Sequence, residues 1–525
     1  MLLFRPTTTL WRALEPVRVL IRHLLVAFVW ASAAISSPAQ LTADIHQIQT
    51  AYDLMGGIVT VFCDDQIIHS VPFGLADLQR NLPVTDSTLF RVASISKTIT
   101  ALAFLRLVDQ GLAGLDDDVG NILGYAVRNP NYPNTIITPR MLLSHTSSLV
   151  DGNTYGSFLN ATATWNPMPH LSQLLSPGGT FYSNSNFLNK QPETYFSYSN
   201  VNYVVLGTLI EKISGRRFDE YCRDSLFLPL GIRGSFNLTH IDDINQVAVL
   251  YRKTGGAWVA QADNYQGVPP TYDNLTGYVP GTNGARFSPQ GGFRGSGADL
   301  SILFMTLLSK GSWNGFTALS AALTDTLLSN QWTYNGSNGN NYYGLFNSWG
   351  LGIHRILNIP NADVVLSGSN IMFGHPGEAY GLVSDAYIDT ARRLGLVFMT
   401  NGCGTGYQTS TQTAFYTVEK AVFDAINPYA DALNCLTGAP HAVASTNDIR
   451  IFPNPFSSLV QITPAPTHAP CRLTLKNAQG KVVYEHMVST KKAWFDFSFL
   501  PNGFYVLQLQ GNRTVASCLL VKATP

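Results

Sequence analysis

The stretch Phe90–Gly111, FRVASISKTITALAFLRLVDQG, sets a serine and a lysine three residues apart at the start of an amphipathic run. Ile99, Leu102, Phe104, Leu105 and Val108 recur at helical spacing, and Gly111 suits a helix C-cap. A helix over Ser94–Gln110 with its apolar stripe in a core is expected. Ser94 and Lys97, at i and i+3, then share a face and their side chains can meet. A serine hydroxyl is a weak nucleophile until a base takes its proton, and a lysine shielded from water can lose enough basicity to serve. The same spacing also describes an ordinary polar helix start. Ser489 and Lys492 repeat it in MVSTKKAW, where no helical pattern follows and an exposed turn is expected.

A second element separates the two readings. Tyr-x-Asn occurs at Tyr132, Tyr182, Tyr198 and Tyr272, but only Tyr198 directly precedes a helical pattern, Val201, Val204, Val205, Leu209 and Ile213. A helix over Asn200–Ile213 is expected, capped by Ser199 or Asn200. A phenol beside ammonium or amide donors can shed its proton and act as general base, and the Asn200 amide can position a substrate carbonyl. The alternative is a packed Tyr198 and an Asn200 that only caps. The third element is Gly374-His375-Pro376-Gly377-Glu378 on an expected strand, where glycines let a substrate backbone come close. His375 also reads as a structural histidine.

With 525 residues the chain is long enough for two or three domains. Hydrophobic residues are 45% and charged ones only 13%, with Lys+Arg and Asp+Glu both at 33. That balance gives no electrostatic footprint for nucleic acid or an anionic membrane, so small or neutral partners are expected. Arg22 and His23 precede the apolar run LLVAFVWASAAISSPAQ, which reads as a signal peptide over residues 1–39 with cleavage after Ala33 or Ala39. An uncleaved anchor is the alternative, although the run is shorter than the roughly 20 residues a span needs. Six cysteines without Cys-x-x-Cys spacing argue against a zinc cage. Cys471 with Cys518 is the pairing expected; Cys63, Cys222, Cys403 and Cys435 read equally as small buried hydrophobes.

LTADIHQIQTAYDLM has helical spacing, and GGIVTVFCDDQIIHSVPFGLAD reads as two strands about an Asp-Asp turn. A further helix is expected over Ala298–Leu308. NIMFGHPGEAYGLVSDAYIDTARRLGLVFMTNG reads as strands, with a hairpin tip at Thr390–Arg393. Strands at both ends enclosing helices imply an α/β (α+β) unit over residues 40–435 with a central antiparallel sheet. The small, polar segment 436–447 reads as a linker. Short alternating runs, RLTLKN, KVVYEHMV, WFDFSF and FYVLQLQ, then imply a small β-sandwich over residues 448–525.

In this order, S-I-S-K, Y-S-N and H-P-G resemble the three motifs of the serine beta-lactamase-related superfamily. That group holds class C beta-lactamases, D-alanyl-D-alanine carboxypeptidases, D-aminopeptidases and family VIII-type esterases. The resemblance runs from Ile45 to Ala432 and includes LLSHTSSL at Leu142–Leu149, LFLPLGI at Leu226–Ile232 and GFRGSGADLSIL at Gly292–Leu303. It implies a beta-lactamase/transpeptidase-like fold with a helical subdomain. It implies Ser94 as acylated nucleophile, Lys97 and Tyr198 as proton-transfer pair, Asn200 as substrate ligand, and the N–H groups of Ser94 and Glu378 as oxyanion hole. Substrates would be a small ester, a peptide or a peptidoglycan-derived group, with no metal or cofactor required. His145, within LLSHTSSL, reads as structural.

The departures bear on substrate. Class C beta-lactamases carry Lys-Thr-Gly where this chain has His375-Pro376-Gly377. A histidine at its ordinary pKa of about 6.5 is only about a quarter protonated at pH 7, so it holds a substrate carboxylate poorly. Glu378 replaces a small residue and places a carboxylate beside the expected hole, while Ser148 replaces a glycine and leaves a loop conformation open. Beta-lactam turnover is thereby disfavoured, and a non-catalytic surface protein that keeps the fold is the other alternative. Residues 448–525 resemble the type IX secretion sorting domain through IFPNPFSS, KNAQGKVV and LPNGFYVLQL. That resemblance implies the type IX secretion machinery as a partner and a secreted or cell-surface location; a spacer or glycan-binding sandwich is the alternative.

Overall fold

The computed structural model describes residues 37–271, 275–433 and 435, together with the strands between 449 and 522 and parts of their connections. The signal-peptide reading, the linker and the Ser489/Lys492 pair lie outside the described residues. The chain divides into two compact units, Met1–Leu436 and Thr437–Pro525.

In the first unit, helix α1 (Pro38–Ala51) opens with Ser37 accepting the Gln40 N–H and proline in the first turn. Of the two expected cleavage points, the one after Ala33 leaves this cap in place. Strands β1 (Gly56–Cys63) and β2 (Gln66–Asp77) follow, joined by a turn in which Asp64 is left-handed at φ +56°. β3 (Leu82–Pro83) forms one sheet edge, and the short β4 (Trp332–Thr333), β5 (Ser348–Trp349) and β6 (His354–Ile356) lead in from the other. β7 (Met372–Ala379), β8 (Leu382–Asp389) and β9 (Leu394–Thr400) fill the centre, with the tip at 390–393 where the sequence put it. The nine-stranded order is β4-β5-β6-β7-β8-β9-β1-β2-β3, and each pairing is antiparallel.

Side-chain alternation gives this sheet two apolar faces. Along β9, Val397 and Met399 belong to the larger core, shared with helices α2 (Ser96–Asp109), α3 (Val201–Ser214) and α4 (Gly297–Leu308). Leu394, Leu396 and Phe398 face α1 and the last helix, α5 (Thr417–Ala432). With both faces covered, β8 and β9 are buried at every position, which explains their near-continuous hydrophobic text. Among the described residues no helix is long and apolar enough to cross a membrane.

Two local expectations need correction, and the Ser148 loop, left open by the sequence, is defined. The helix expected over Ser94–Gln110 is α2, preceded by a 3-10 turn, Ala93–Ile95, and Gln110 is its C-cap; Gly111 is the next residue, left-handed at φ +71°. Ser148 adopts φ +67°, the conformation a glycine would take freely, and its hydroxyl accepts the Asn129 amide at 2.9 Å in a buried setting. Cys63, at the end of β1, is bonded to Cys435 beyond α5, whereas Cys222 and Cys403 are free and buried. The link closes one face of the sheet over α5, and 372 positions of separation kept it out of reach of local patterning. The side chains of Cys471 and Cys518 lie outside what is described.

The second unit is all-β. Strands β10 (Ile449–Phe452), β11 (Leu459–Pro464) and β14 (Ala493–Asp496) form one sheet; β12 (Cys471–Asn477), β13 (Val482–Val488), β15 (Gly503–Gln510) and β16 (Val515–Lys522) form the other. Val460 and Ile462 from the first sheet share a core with Leu473, Leu475, Leu507 and Leu520 from the second, as in a sandwich.

Candidate active site

The turn carrying Ser94 is fixed before α2 begins. Ala93 has φ +44°, rare for a residue with a Cβ and costing on the order of 1–3 kcal/mol. Its surroundings hold it there: Val92 N–H donates to Phe293 O at 3.0 Å, and Ser384 Oγ on β8 donates to Val92 O at 3.0 Å. The polar residues of the first helical turns are pinned too. Ser96 accepts the Phe293 N–H, Thr98 donates to Gly352 O, and Thr100 donates to Pro289 O. Ser94 alone in this segment keeps solvent exposure between buried Ala93 and Ile95.

Lys97 is wholly buried. Its Nζ donates to Ser94 Oγ at 3.0 Å, to Asn200 Oδ1 at 2.8 Å and to Gln290 O at 2.9 Å. Loss of hydration pushes its pKa from 10.5 down to about 7, with the Asp151 charge opposing the change in part. A shift of that size is worth about 5 kcal/mol in favour of the neutral amine. Near neutral pH a large share of molecules therefore carries an amine with a free lone pair beside the serine.

Asn200 occupies the N-cap position of α3, but its side chain makes no cap bond, contrary to the expectation for Ser199 or Asn200. Its amide oxygen is committed to Lys97, so it cannot turn back onto the helix. Asp151 supplies the cap from the loop after LLSHTSSL. Oδ1 accepts from Val201 N–H at 2.8 Å and Ser199 Oγ at 3.1 Å; Oδ2 accepts from Asn200 N–H at 3.2 Å and Asn200 Nδ2 at 2.7 Å. Asp151 escaped the sequence reading; its one signal was its place two residues after the LLSHTSSL phrase.

The Tyr198 hydroxyl lies beside Ser94, and its ring centroid is 4.8 Å from Lys97 Nζ. Phe346 stacks on it at 5.2 Å and His145 packs at 4.5 Å. Burial raises its pKa further than the neighbouring Ser94 hydroxyl lowers it. The expectation that the phenol sheds its proton is therefore corrected: desolvation keeps it protonated, and the lysine is the group driven toward neutrality. His145 is buried and left-handed, and its Nδ1 accepts the Ser199 N–H at 3.1 Å, as suits a structural histidine that shapes the Tyr198 turn.

β6 pairs with β7 only at Met372–Gly374, which leaves the following residues of β7 unpaired on that side. The Ser94 turn packs into that opening. A Cβ at Gly377 would lie 2.6 Å from Val92 O and 3.2 Å from Ser94 N, so only glycine permits the approach. His375 is buried, with Nδ1 2.6 Å from Pro376 O. Burial and Lys97 push its pKa well below 6.5, so the expected quarter charge is absent and the imidazole is neutral. Glu378 pairs with Val383, a residue of the α5-side core, and its carboxylate accepts the hydroxyl of Tyr416 beside α5. Its side chain is thus turned away from Ser94, because alternate residues of a strand face opposite ways. Ser94, Lys97, Tyr198 and Asn200 are brought together, with His375 and Gly377 on the adjoining strand; the Glu378 carboxylate is not among them.

Behind β7, Asp385, opposite Pro376 in the register, lies fully buried against buried Glu419 of α5. Desolvation pushes both carboxyls up, Glu419 to about 8, and the neighbouring Glu419 raises Asp385 further.

This fold belongs to the serine hydrolase superfamily that includes the penicillin-binding proteins. Residues 41–414 match the family model described as Beta-lactamase, and the chain is a member of that family. Residues 450–522 match the Secretion system C-terminal sorting domain, the type IX address of a secreted or cell-surface protein. Over 197 residues the chain is 30% identical to a penicillin-binding protein of Bacillus subtilis (strain 168), covering 35% of this chain and 40% of that one. It is 29% identical over 192 residues to Penicillin-binding protein 4 of Amycolatopsis lactamdurans, 36% of this chain and 47% of that one. The chain thus spans less than half the length of these relatives. Among solved structures, the octameric penicillin-binding protein homologue from Pyrococcus abyssi superposes with TM-score 0.55 at 17% identity, covering 91% of this chain and 99% of that one. EstCE1, a hydrolase with promiscuous acyltransferase activity, gives 0.54 at 20% identity over 75% and 99%. The D-amino acid amidase from Ochrobactrum anthropi SV3 gives 0.53 at 19% over 75% and 99%.

Proposed function

We propose that the protein hydrolyses an ester or amide through an acyl-enzyme on Ser94, as an esterase or D-amino-acid peptidase. The observation that carries this reading is the wholly buried Lys97 amine, its pKa pushed down to about 7, 3.0 Å from the Ser94 hydroxyl. In the first step Ser94 Oγ attacks the carbonyl carbon and its proton passes to Lys97 Nζ. The carbonyl oxygen becomes an oxyanion facing the N–H groups of Ser94 and Glu378, an arrangement supported by the close contact of Gly377 with the Ser94 turn. Such donors are each worth about 2.7–4 kcal/mol. The proton taken up by Lys97 is handed on through the Tyr198 hydroxyl to the departing alkoxide or amine, which leaves the phenol protonated and the amine neutral. Water then attacks the acyl carbon, and its proton passes back through the same groups to regenerate Ser94.

The substrate preference follows from charge. His375, whose side chain faces the site, is neutral, so β7 offers no cation to a substrate carboxylate. Neutral esters or amides are favoured over beta-lactams, whose carboxylate needs one. Assays with a short-chain p-nitrophenyl ester, a D-alanyl peptide and a chromogenic cephalosporin, each with wild type and Ser94→Ala, test the reading. Hydrolysis of the ester or D-peptide that vanishes in Ser94→Ala is expected. Turnover that survives Ser94→Ala refutes the mechanism, and preferred turnover of the cephalosporin refutes the substrate class. Inertness toward all three, without acylation, would favour a surface binding protein.

A further inference from the structure

We propose that Asp151 is a positioning residue for this site: it holds the Asn200 amide with its oxygen toward Lys97, so that the amine keeps its place against Ser94. The inference rests on the Ser94 reading above. A carboxamide presents a donor end and an acceptor end, and its partners decide which end faces where. At Asn200, Oδ1 takes the Lys97 N–H at 2.8 Å and Nδ2 gives to Asp151 Oδ2 at 2.7 Å. An ionised carboxylate only accepts, so Asp151 forces Nδ2 toward itself and leaves the oxygen for Lys97. Asp151 is itself immobilised by Val201 N–H, Asn200 N–H and Ser199 Oγ at the start of a fourteen-residue helix, where the helix dipole favours a negative charge.

The second consequence is electrostatic. The groups acting on Lys97 from the surrounding elements are Asp151, His145, His375, Tyr198 and Tyr203. Both imidazoles have pKa values pushed well down by burial, and the two phenols are pushed up. Asp151 is the one carboxyl group in this set, and its charge raises the Lys97 pKa against the loss of hydration. One exposed carboxylate thus sets both the direction of the Asn200 amide and the field at the amine.

Asp151→Asn separates positioning from helix capping. The carboxamide oxygen of Asn still accepts the Val201 N–H, and Asn caps helices as well as Asp does. Its NH2, however, meets the NH2 of Asn200, which turns the Asn200 amide around. Expected is a folded protein with a melting temperature lowered only slightly, because the Asn200 backbone N–H loses its acceptor, kcat/KM lower by at least about tenfold with KM little changed, and an acidic limb moved to lower pH by loss of the anion. Asp151→Ala, assayed below its own melting temperature, is the second variant if Asp151→Asn does not fold, with the same expected loss. Wild-type rates and an unmoved limb in a folded variant overturn the proposal, because a pure cap would give that result. Ser94→Ala is read alongside: if it stays active the Ser94 reading fails, whereas an inert Ser94→Ala beside a fully active Asp151→Asn sinks only this proposal.

Discussion

Lys97 Nζ stands 3.0 Å from Ser94 Oγ, the lysine wholly buried and the serine at the open end of the turn before it. Only the neutral amine can take the serine proton, and its pKa is pushed down to about 7. The rate kcat/KM should therefore rise as pH increases through about 7 and flatten above it. Lys97→Arg keeps the charge but cannot deprotonate, and its kcat should fall by roughly 10²–10⁴ at every pH. Retained activity in Lys97→Arg, or an acidic limb near 4, would show that another group is the base.

Gly377 lets β7 lie against the nucleophile turn. Alanine there would set a Cβ 2.4 Å from Ser384 Oγ and 2.6 Å from Val92 O; the hydroxyl can rotate, the carbonyl cannot. Gly377→Ala should cost about 1–3 kcal/mol of stability through overpacking and lower kcat on the order of a hundredfold by shifting the Ser94 N–H. A variant with wild-type melting and turnover would mean that the strand and the turn are not coupled.

Cys63 and Cys435 tie the end of β1 to the segment after α5, on the face opposite the nucleophile helix. Removing the link with Cys63→Ala should cost roughly 2–4 kcal/mol, leaving turnover at low temperature unchanged. A reductant should lower the melting temperature of the wild type and leave that of Cys63→Ala where it is. Equal sensitivity of the two proteins to reductant would contradict the assignment.

Asp385 and Glu419 share a buried site behind β7. A carboxyl whose folded pKa is raised binds its proton more tightly folded than unfolded, so stability falls as pH climbs from its ordinary 4.5 through about 8. Glu419→Gln removes that titration while keeping a side chain of the same shape. Its melting temperature should drop less than that of the wild type between pH 6 and pH 9, read by scanning calorimetry. Parallel curves would show that the Glu419 carboxyl does not carry the raised pKa.

What the sequence disclosed followed the range of each interaction. Helix α2, the β1–β2 hairpin and the tip at 390–393 rest on local periodicity and turn chemistry, and they were legible. So were Ser94, Lys97, Tyr198 and Asn200, because the resemblance supplied an order that spacing alone could not. Asp151 and Gln290 act on Lys97 from loops brought near by the tertiary fold, with no residue pattern of their own. The protonation states were illegible for a related reason: His375, Tyr198 and Lys97 differ from their ordinary values through burial, which the composition of a strand or helix does not reveal. The face taken by Glu378 could be read only from the register of β7 against β8.

The most direct measurement is intact and peptide mass spectrometry after exposure to a fluorophosphonate, which captures an activated serine. One adduct per chain is predicted, on the peptide that carries Ser94, formed faster at pH 8 than at pH 6 and absent in Ser94→Ala. An adduct on a different residue, or a wild-type protein left unmodified at pH 8, would contradict a lysine-activated Ser94.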